Sequence, residues 1–272
     1  MLALGRLPQG SGPFLFLKRM KISATVITLN EENHLGRCLA SLEGVVEETL
    51  VVDAGSSDRT LEIARELGAR PIVHEWKSYA NQKNHAAALA EHDWILSIDA
   101  DECLSPVLRQ SILALKKTVP AMSAFGFSRK AFYLGRWIHH CGWYPDVKTR
   151  LYLRTKAKWQ GEFVHESLDV DGPIGRLAGD LLHYTCNSVS EHLIRLERYT
   201  TLAANDLWRR GKRSRMIDLP VSAVAAFAKT YWLKQGFRDG PQGLVISLFA
   251  GYYNFVKYAK LWELQQNARS QG

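Results

Sequence analysis

The sequence predicts an α/β protein whose doubly wound, mostly parallel sheet is followed by a helical, aromatic-rich C-terminal extension. Three observations predict this fold. Apolar, β-branched runs alternate with helical patterns from Lys21 to about residue 122, and this order is typical of parallel strands joined by helices. Polar and acidic residues directly follow several of these runs. Ten of the 28 aromatic residues lie between Phe227 and Trp262, where the pattern is helical.

The elements of the first half follow from their patterns. Ile22–Thr28 is apolar and β-branched, as a strand buried on both faces should be. Asn30 is placed to cap a helix with apolar residues at i, i+3, i+4 and i+7, and Gly44 is placed to end it. The next predicted elements are a strand Leu50–Asp53, a helix around Leu61–Leu67, a short strand Pro71–Val73, a helix Asn81–Glu91, a strand Trp94–Ile98 and a helix capped by Ser105 with Pro106 at its first position.

The pattern changes in the second half. FGFSRKAFYL and KTRLYL are predicted to be strands of a mixed sheet, joined by a loop rich in Trp, His and Gly. After His183 the chain becomes helical. These changes place boundaries near residues 122 and 190 and divide the chain into 21–122, 123–190 and 191–272. Residues 1–20 are expected to be a disordered extension without a signal peptide, because the apolar run Phe14–Leu17 is too short for one.

Composition narrows the function classes. The 272 residues are 46% hydrophobic and 23% charged, which excludes wholesale disorder. The net charge of +8 predicts an anionic partner, which could be nucleic acid, a phosphorylated substrate or a membrane surface. The four cysteines are far apart and include no C-x-x-C pair, so neither a zinc site nor a dense disulfide framework is indicated, and a reducing cytosol fits.

Three predicted strand ends carry the residues that suggest chemistry. Asp99 and Asp101 directly follow the strand WILS, and such a pair suits Mg²⁺ or Mn²⁺, although a solvated acidic turn is the alternative. Asp53 precedes a Gly-Ser turn that lacks the glycine series of a dinucleotide site, and its carboxylate could accept hydrogen bonds from a base or ribose. Thr28, Asn30 and Glu31 close the first strand. Because parallel strands end at one edge, these groups should converge on one crevice.

In this order, the motifs TLNEE, VVDAGSSDRT, NQKNHA and WILSIDADE resemble those of family 2 inverting glycosyltransferases of the GT-A fold. The similarity covers about residues 21–190, and within the family the motifs resemble those of the lipopolysaccharide core β-1,4-glucosyltransferase subgroup. The resemblance implies that 21–122 binds the nucleotide sugar and 123–190 the acceptor. It also implies that Thr28, Asn30, Glu31 and Asp53 bind the nucleotide, that Lys83 approaches the donor, and that Asp99 and Asp101 hold a divalent metal on the diphosphate.

An inverting transfer also needs a base that takes the proton of the acceptor hydroxyl. The resemblance points to a His-Glu pair, so Glu166 with its neighbour His165 is the predicted base, and Asp146 is the second candidate. A structural ion pair with an arginine such as Arg150 is the alternative role of Glu166. His183 is a candidate third metal ligand, and a core histidine is its alternative role.

The C-terminal region suggests a membrane partner. WRRGKRSR (208–215) holds five basic residues beside the aromatic-rich stretch, a composition that suits the surface of an anionic bilayer. Lys229 and Lys234 interrupt one apolar stretch, and 243–256 is too short to span, so the helices are expected to lie on the membrane. A core cap or a dimer interface is the alternative. Nucleic acid is not expected as a partner, because no nucleic-acid-binding module accompanies the basic residues.

The sequence therefore predicts a metal-dependent transferase that moves a hexose, glucose from UDP-glucose, to a lipopolysaccharide inner-core or other glycolipid acceptor. The expected location is the cytoplasmic face of a bacterial inner membrane. A polyprenyl-phosphate glycosyltransferase is the alternative within enzymes. A non-catalytic membrane- or RNA-binding protein on a degenerate nucleotide fold is the alternative outside them.

Overall fold

The structure is a computed structural model that describes residues 20–161, 166–186 and 188–270. The predicted N-terminal extension therefore lies outside the described residues except for Met20, which is buried in the main hydrophobic core. His165, the predicted neighbour of the base, also lies outside them.

The first half contains four parallel strands joined by helices. Its elements are β1 (Ile22–Thr28), α1 (Leu35–Leu42), β2 (Glu48–Asp53), α2 (Thr60–Glu66), β3 (Arg70–Val73), α3 (Tyr79–Leu89), β4 (Trp94–Asp99), β5 (Glu102–Leu104) and α4 (Pro106–Leu115). Ser105 caps α4 by accepting from the amide of Leu108, and Pro106 occupies the first turn, as predicted. The helix after β1 was placed too early, because α1 begins at Leu35.

The second half extends this sheet and adds the C-terminal helices. Its elements are β6 (Ala124–Tyr133), β7 (Arg136–Trp137), β8 (Asp146–Leu153), β9 (Ala157–Gln160), β10 (Ser167–Val170), β11 (Ile174–Cys186), α5 (Val189–Arg209), α6 (Asp218–Ala228), a π-helical turn (Lys229–Leu233), a 3₁₀ turn (Gly236–Asp239) and α7 (Gly240–Ser270). The strand order is β3-β2-β1-β4-β8-β6-β11-β5, with β7 paired to β6 and β9–β10 as a separate hairpin.

The sheet is mixed, as the sequence indicated. β1 to β4 are parallel, and so are β6 and β11, whereas β8 runs antiparallel between β4 and β6. The apolar residues of α1 and α4 pack on one face of the sheet with Val26, Leu96 and Phe127. The alanines of α3 pack on the opposite face against Val52 and Ile95. Helices on both faces confirm the doubly wound α/β class.

The C-terminal helices pack on the far end of the sheet. Ile246 of α7 joins Tyr133 of β6 and Cys186 of β11 in a separate core. α6 and α7 run antiparallel and meet closely at Gly251, where an added Cβ would lie 3.0 Å from the carbonyl oxygen of Ala223. Within the part of the chain that the structure describes, no helix combines the length and the apolar composition needed to cross a bilayer.

Candidate active site at the carboxyl edge of the sheet

The predicted strand ends meet at one edge. β1 and β2 are paired so that Thr28 lies opposite Asp53, and β1 and β4 so that Ile27 lies opposite Asp99. The Thr28 hydroxyl donates to Asp53 Oδ2 at 2.8 Å. The convergence that the sequence predicted from parallel strand order is therefore present.

Asp53 shapes the turn that follows β2. Its side chain is fully buried. Oδ1 accepts from the amides of Gly55 and Ser56 at 2.9 and 2.7 Å, and Oδ2 accepts from the Ser56 hydroxyl at 2.5 Å. With the bond from Thr28, four protein donors surround this carboxylate. To accept a hydrogen bond from a nucleotide, Asp53 would have to lose one of these donors, so its predicted binding role stays a prediction.

Asn30 and Glu31 join the β1–α1 loop to the β2–α2 loop. Asn30 has a positive φ of 55°, and its Oδ1 accepts from the amide of Ser57 at 2.9 Å. This bond is the physical reason why Asn30 does not cap α1. The amide of Glu31 donates to the Thr60 hydroxyl at 2.8 Å, and its carboxylate contacts His34 Nδ1 at 2.9 Å. The two loops thus form one rim of the edge.

A buried charge network lies beside this rim. Lys83, only 1% exposed, places Nζ 3.1 Å from Asp99 Oδ1 and 3.5 Å from Glu166 Oε1. The same ammonium lies 4.6 Å from the ring centroid of Trp159. The approach of Lys83 to Asp99 and to the predicted base brings together three residues that the sequence assigned to one site from distant positions.

Arg150 completes the network from β8. Its Nη2 donates to Asp99 Oδ2 at 2.7 Å and to Glu102 Oε1 at 3.4 Å. Burial alone would raise the pKa of Asp99, but the charges of Arg150 and Lys83 outweigh it and hold that pKa far below its usual range. Asp99 is therefore ionised, and each of its oxygens faces a cation. As a metal ligand it would have to share its carboxylate with Lys83 or Arg150.

Asp101 and His183 form a second pair at the same edge. His183 Nε2 lies 3.1 Å from Asp101 Oδ2, and both side chains are partly accessible, at 15% and 18%. Burial favours the neutral form of Asp101, but the hydrogen bond and charge of His183 lower its pKa overall. Adjacent ligand atoms of an octahedral ion with bonds of about 2.1 Å lie about 3 Å apart. The described residues contain no group of three or more His, Cys, Asp or Glu side chains arranged to hold a metal, so this hydrogen-bonded pair could supply two ligands of a divalent cation at most.

A pocket of about 340 Å³ adjoins this pair. Asp146, the second candidate base, lies in its wall and is paired with Arg129 at 2.8 Å and with Lys148 at 3.1 Å. Burial raises the pKa of Asp146, but these two cations lower it overall, which makes it a weaker base. The residues that line the pocket are Arg129, Ala131, Gly142, Trp143, Pro145, Asp146, His183 and Thr185.

Three site residues were missed or only partly predicted from the sequence. Glu102 directly follows the Asp-x-Asp motif and is almost completely buried, but it was not assigned a role. Its Oε1 lies 3.3 Å from Arg129 Nη1, and Arg129 also was not assigned. Arg150 was considered as a partner of Glu166, whereas the described partner of Glu166 is Lys83. Glu102 could have been predicted from its position directly after the Asp-x-Asp motif. The contacts of Arg129 and Arg150 could be predicted only with knowledge of the strand order, because these residues lie on β6 and β8.

The fold and the site together define a class of protein. It is an α/β protein with carboxylates, a buried lysine and the Asp101–His183 pair at the carboxyl ends of parallel strands. Sheets of this kind bind their ligands at that edge. The chain belongs to glycosyl transferase family 2, whose sequence model matches residues 23–169. The resemblance seen in the motifs is thereby confirmed, and the protein is a glycosyltransferase by family.

The chain is similar to several known proteins. The chain is 31% identical over 261 residues to an uncharacterized glycosyltransferase of Rickettsia typhi, covering 92% of this chain and 89% of the relative. It is 29% identical over 259 residues to the lipopolysaccharide core biosynthesis glycosyltransferase LpsC of Rhizobium meliloti, covering 91% and 94%. Among solved structures, S. aureus TarS 1–349 in complex with UDP-GlcNAc has a TM-score of 0.46, with 16% identity and 92% of both chains covered. Glucosyl-3-phosphoglycerate synthase from Mycobacterium tuberculosis, in complex with Mn²⁺, UDP-glucose and phosphoglyceric acid, has a TM-score of 0.34, with 25% identity and 43% and 46% covered.

Proposed function

We propose that this chain transfers glucose from UDP-glucose to the inner core of lipopolysaccharide, with inversion and with a divalent metal, at the cytoplasmic face of the inner membrane. Membership of glycosyl transferase family 2 supports the reaction class. The similarity to LpsC, named for lipopolysaccharide core biosynthesis, supports the acceptor class. The observation that carries the proposal is the meeting of Lys83, Asp99 and Glu166 beside the Asp101–His183 pair.

The donor would lie along the carboxyl edge. Here the loops after β1 and β2 would hold the nucleoside, and Thr28, Asn30, Glu31 and Asp53 fix the shape of those loops. Asp99 holds Lys83 in place beside the crevice, so its ammonium could meet a diphosphate oxygen without reorganisation. This role for Lys83 is in line with the family resemblance.

A divalent cation would be held by Asp101 and His183, with water and diphosphate oxygens completing its shell. Asp101 would then be the main carboxylate ligand of the ion and Asp99 would lie beside it, because Asp99 Oδ1 faces Lys83 and Asp99 Oδ2 faces Arg150. When bound, such an ion stabilises the negative charge that develops on the leaving diphosphate.

Glu166 is the proposed general base. Its described contact is one long approach of 3.5 Å from Lys83, whereas Asp146 is held by two cations at 2.8 and 3.1 Å. The two cations lower the pKa of Asp146, which makes Asp146 the weaker candidate. Glu166 would take the proton of the acceptor hydroxyl as its oxygen bonds to the anomeric carbon and the bond to the diphosphate breaks. The pocket beside Asp146 would then hold the acceptor sugar.

The test is transfer of labelled glucose from UDP-glucose to purified lipopolysaccharide truncated in its inner core. Glu166→Gln should lower kcat by about 10²–10⁴-fold, which is the usual contribution of a general base, with the donor Kd within about threefold of wild type. Asp146→Asn makes the same carboxylate-to-amide change and should keep kcat within about tenfold. Wild-type kcat in Glu166→Gln, with a large loss in Asp146→Asn, would move the base to Asp146.

A further inference from the structure

An apolar face on the C-terminal helices is not used by the site. Ile217, Val221 and Val224 recur at i, i+4 and i+7 and are 62%, 57% and 68% exposed. Between Asp218 and Lys229 the sequence contains no charged residue. One side of α6 is therefore a continuous apolar stripe that faces solvent.

The turn after α6 continues this stripe with larger side chains. Trp232 and Leu233 are 62% and 79% exposed, and Phe237 is 46% exposed. The ring centroids of Trp232 and Phe237 are 6.0 Å apart, so the two aromatic residues form one cluster. Exposed Trp and Phe side chains grouped in this way are uncommon on a surface that meets only water.

α7 presents a matching stripe. Leu244, Leu248, Tyr252 and Phe255 recur with helical spacing and are 40–54% exposed. The opposite side of α7 holds Ile246 in the core. Since α6 and α7 run antiparallel and meet at Gly251, the helical period places both stripes on the side of the pair that faces away from the core. We call this surface, made of the exposed residues of α6, the turn and α7, the apolar face.

Positive charge lies at both ends of α6. Residues 206–239 contain eight Lys or Arg and three Asp, and one of the three, Asp239, is buried. Five of the basic residues precede α6, and Lys229, Lys234 and Arg238 follow it. All eight have exposed side chains. The apolar stripe of α6 is thus bracketed by cations, which is the arrangement of a segment that lies in the plane of a bilayer.

We propose that the apolar face docks this protein on an anionic lipid bilayer, with the exposed aromatic and aliphatic side chains in the headgroup boundary and the flanking Lys and Arg on lipid phosphates. Charge complementarity selects this occupant. A second copy of the chain docked symmetrically would bring the same basic clusters together, and like charges across an interface are unfavourable. An anionic bilayer has negative headgroups that can pair with the Lys and Arg side chains, and directly below them an apolar layer that can take up the exposed aliphatic and aromatic side chains.

The docked orientation would bring the acceptor pocket close to the membrane. The carbonyl of Lys234, in the turn of the apolar face, accepts from the amide of Cys141 at 3.0 Å. The Lys234 side chain lies against Gly142, which lines the pocket with Asp146 and His183. This consequence rests on the proposed function, because it treats the pocket as the acceptor site. It places a lipid-anchored acceptor sugar within reach of the pocket without extraction of the lipid.

Vesicle flotation of the full-length protein tests the docking without donor, acceptor or catalysis. Vesicles of phosphatidylethanolamine with 30% phosphatidylglycerol should bind the protein, and vesicles of phosphatidylcholine alone should bind it at least about tenfold more weakly. Leu233→Glu should lower the partition coefficient by about tenfold or more, because it places a charge in the docked face. Ile174→Glu is the matched control on β11, 52% exposed and distant in sequence from the face, and should bind like wild type. The double variant Lys212→Glu/Arg213→Glu should bind anionic vesicles more weakly than wild type, and its binding should depend less on salt concentration.

Equal binding of Leu233→Glu and Ile174→Glu, at matched thermal stability, would overturn the proposal. So would the absence of binding to anionic vesicles. If the wild type is a dimer by light scattering, binds no vesicles and becomes a monomer on Leu233→Glu, the face belongs to a second copy. If vesicles bind but glucose transfer fails, the docking stands and the proposed function falls. The two failures are therefore distinguishable.

Discussion

Replacing Arg150 with methionine tests the buried charge network most sharply. The Arg150 side chain is 5% exposed and pairs with Asp99 at 2.7 Å and with Glu102 at 3.4 Å. Methionine keeps much of the apolar volume but carries no charge. Among the described residues, Glu102, whose side chain is fully buried, would keep one cation, Arg129 at 3.3 Å, and one backbone donor, the amide of Asp99 at 3.1 Å. Asp99 would keep Lys83 at 3.1 Å.

The size of the loss follows from this geometry. Removing one partner of a buried ion pair costs about 3–5 kcal/mol, because the other charge stays buried without compensation. Lys83 and Arg129 each neutralise part of what remains, so the lower end, about 3 kcal/mol, is expected for Arg150→Met. For a protein of this size each kcal/mol lowers Tm by about 2–4 °C, which gives a decrease of roughly 6–12 °C.

Differential scanning calorimetry and urea unfolding measure this loss. The matched control is Arg210→Met, which makes the same substitution in a pair with Asp206 whose side chains are 69% and 47% exposed. An exposed pair of this kind contributes less than about 1 kcal/mol, so the control should melt close to wild type. If Arg150→Met melted together with Arg210→Met, the network would contribute nothing to the fold, and the reasoning on buried pairs would be refuted for this site.

Three further predictions concern other parts of the fold. Burial and Arg195 lower the pKa of His192 from 6.5 to about 4. As the pH falls from 6.5 to about 4, His192 is therefore protonated in the unfolded protein before it is protonated in the folded protein. This difference lowers the free energy of unfolding by about 1–2 kcal/mol, after allowance for the partial exposure of the ring. His192→Gln should flatten this stability profile in urea titrations. Gly243→Ala should destabilise by more than about 2 kcal/mol, because its Cβ meets the Gly236 carbonyl, whereas Gly36→Ala in α1 has room and should stabilise by about 0.5–1 kcal/mol. Burial raises the pKa of Cys38 well above its usual value, so a thiol reagent at pH 8 should label it only after unfolding.

Each of these three has a contradicting outcome. An unchanged acid profile in His192→Gln would assign the acid sensitivity to other groups. Equal melting of the two Gly→Ala variants would show that the contact between α7 and the 3₁₀ turn is loose. Rapid labelling of Cys38 in folded protein, identified by mass spectrometry, would show that α1 opens readily.

The sequence predicted the first half of the fold well because the information there is local. β1 to β4 are apolar runs whose ends carry Thr28, Asp53 and Asp99, and parallel order alone brings such ends to one edge. The early start of α1 was predicted wrongly for a local reason too. Asn30 is a favoured capping residue, but its side chain is engaged by the neighbouring loop at Ser57.

The charge network could not be predicted because it depends on long-range strand order. Arg150 reaches Asp99 only because β8 pairs with β4 in antiparallel fashion, with Leu151 opposite Leu96. Nothing in the local pattern of KTRLYL indicates which strand it joins. The family resemblance implied only that Lys83 approaches the donor, and its approach to Glu166 at 3.5 Å was not predicted. The pairing of His183 with Asp101 likewise depends on β11 lying beside β5, where His183 is opposite Glu102.

The most direct test of the central claim is calorimetric titration of UDP-glucose into the purified protein, with and without Mn²⁺, for wild type and Asp101→Ala. We expect binding that Mn²⁺ strengthens by at least about tenfold, with the strengthening lost in Asp101→Ala, because Asp101 and His183 are the proposed ligands of the ion. Binding of another nucleotide sugar in place of UDP-glucose would change only the donor. No binding of any nucleotide sugar under any metal condition would contradict the claim that this edge of the sheet is a glycosyl-donor site.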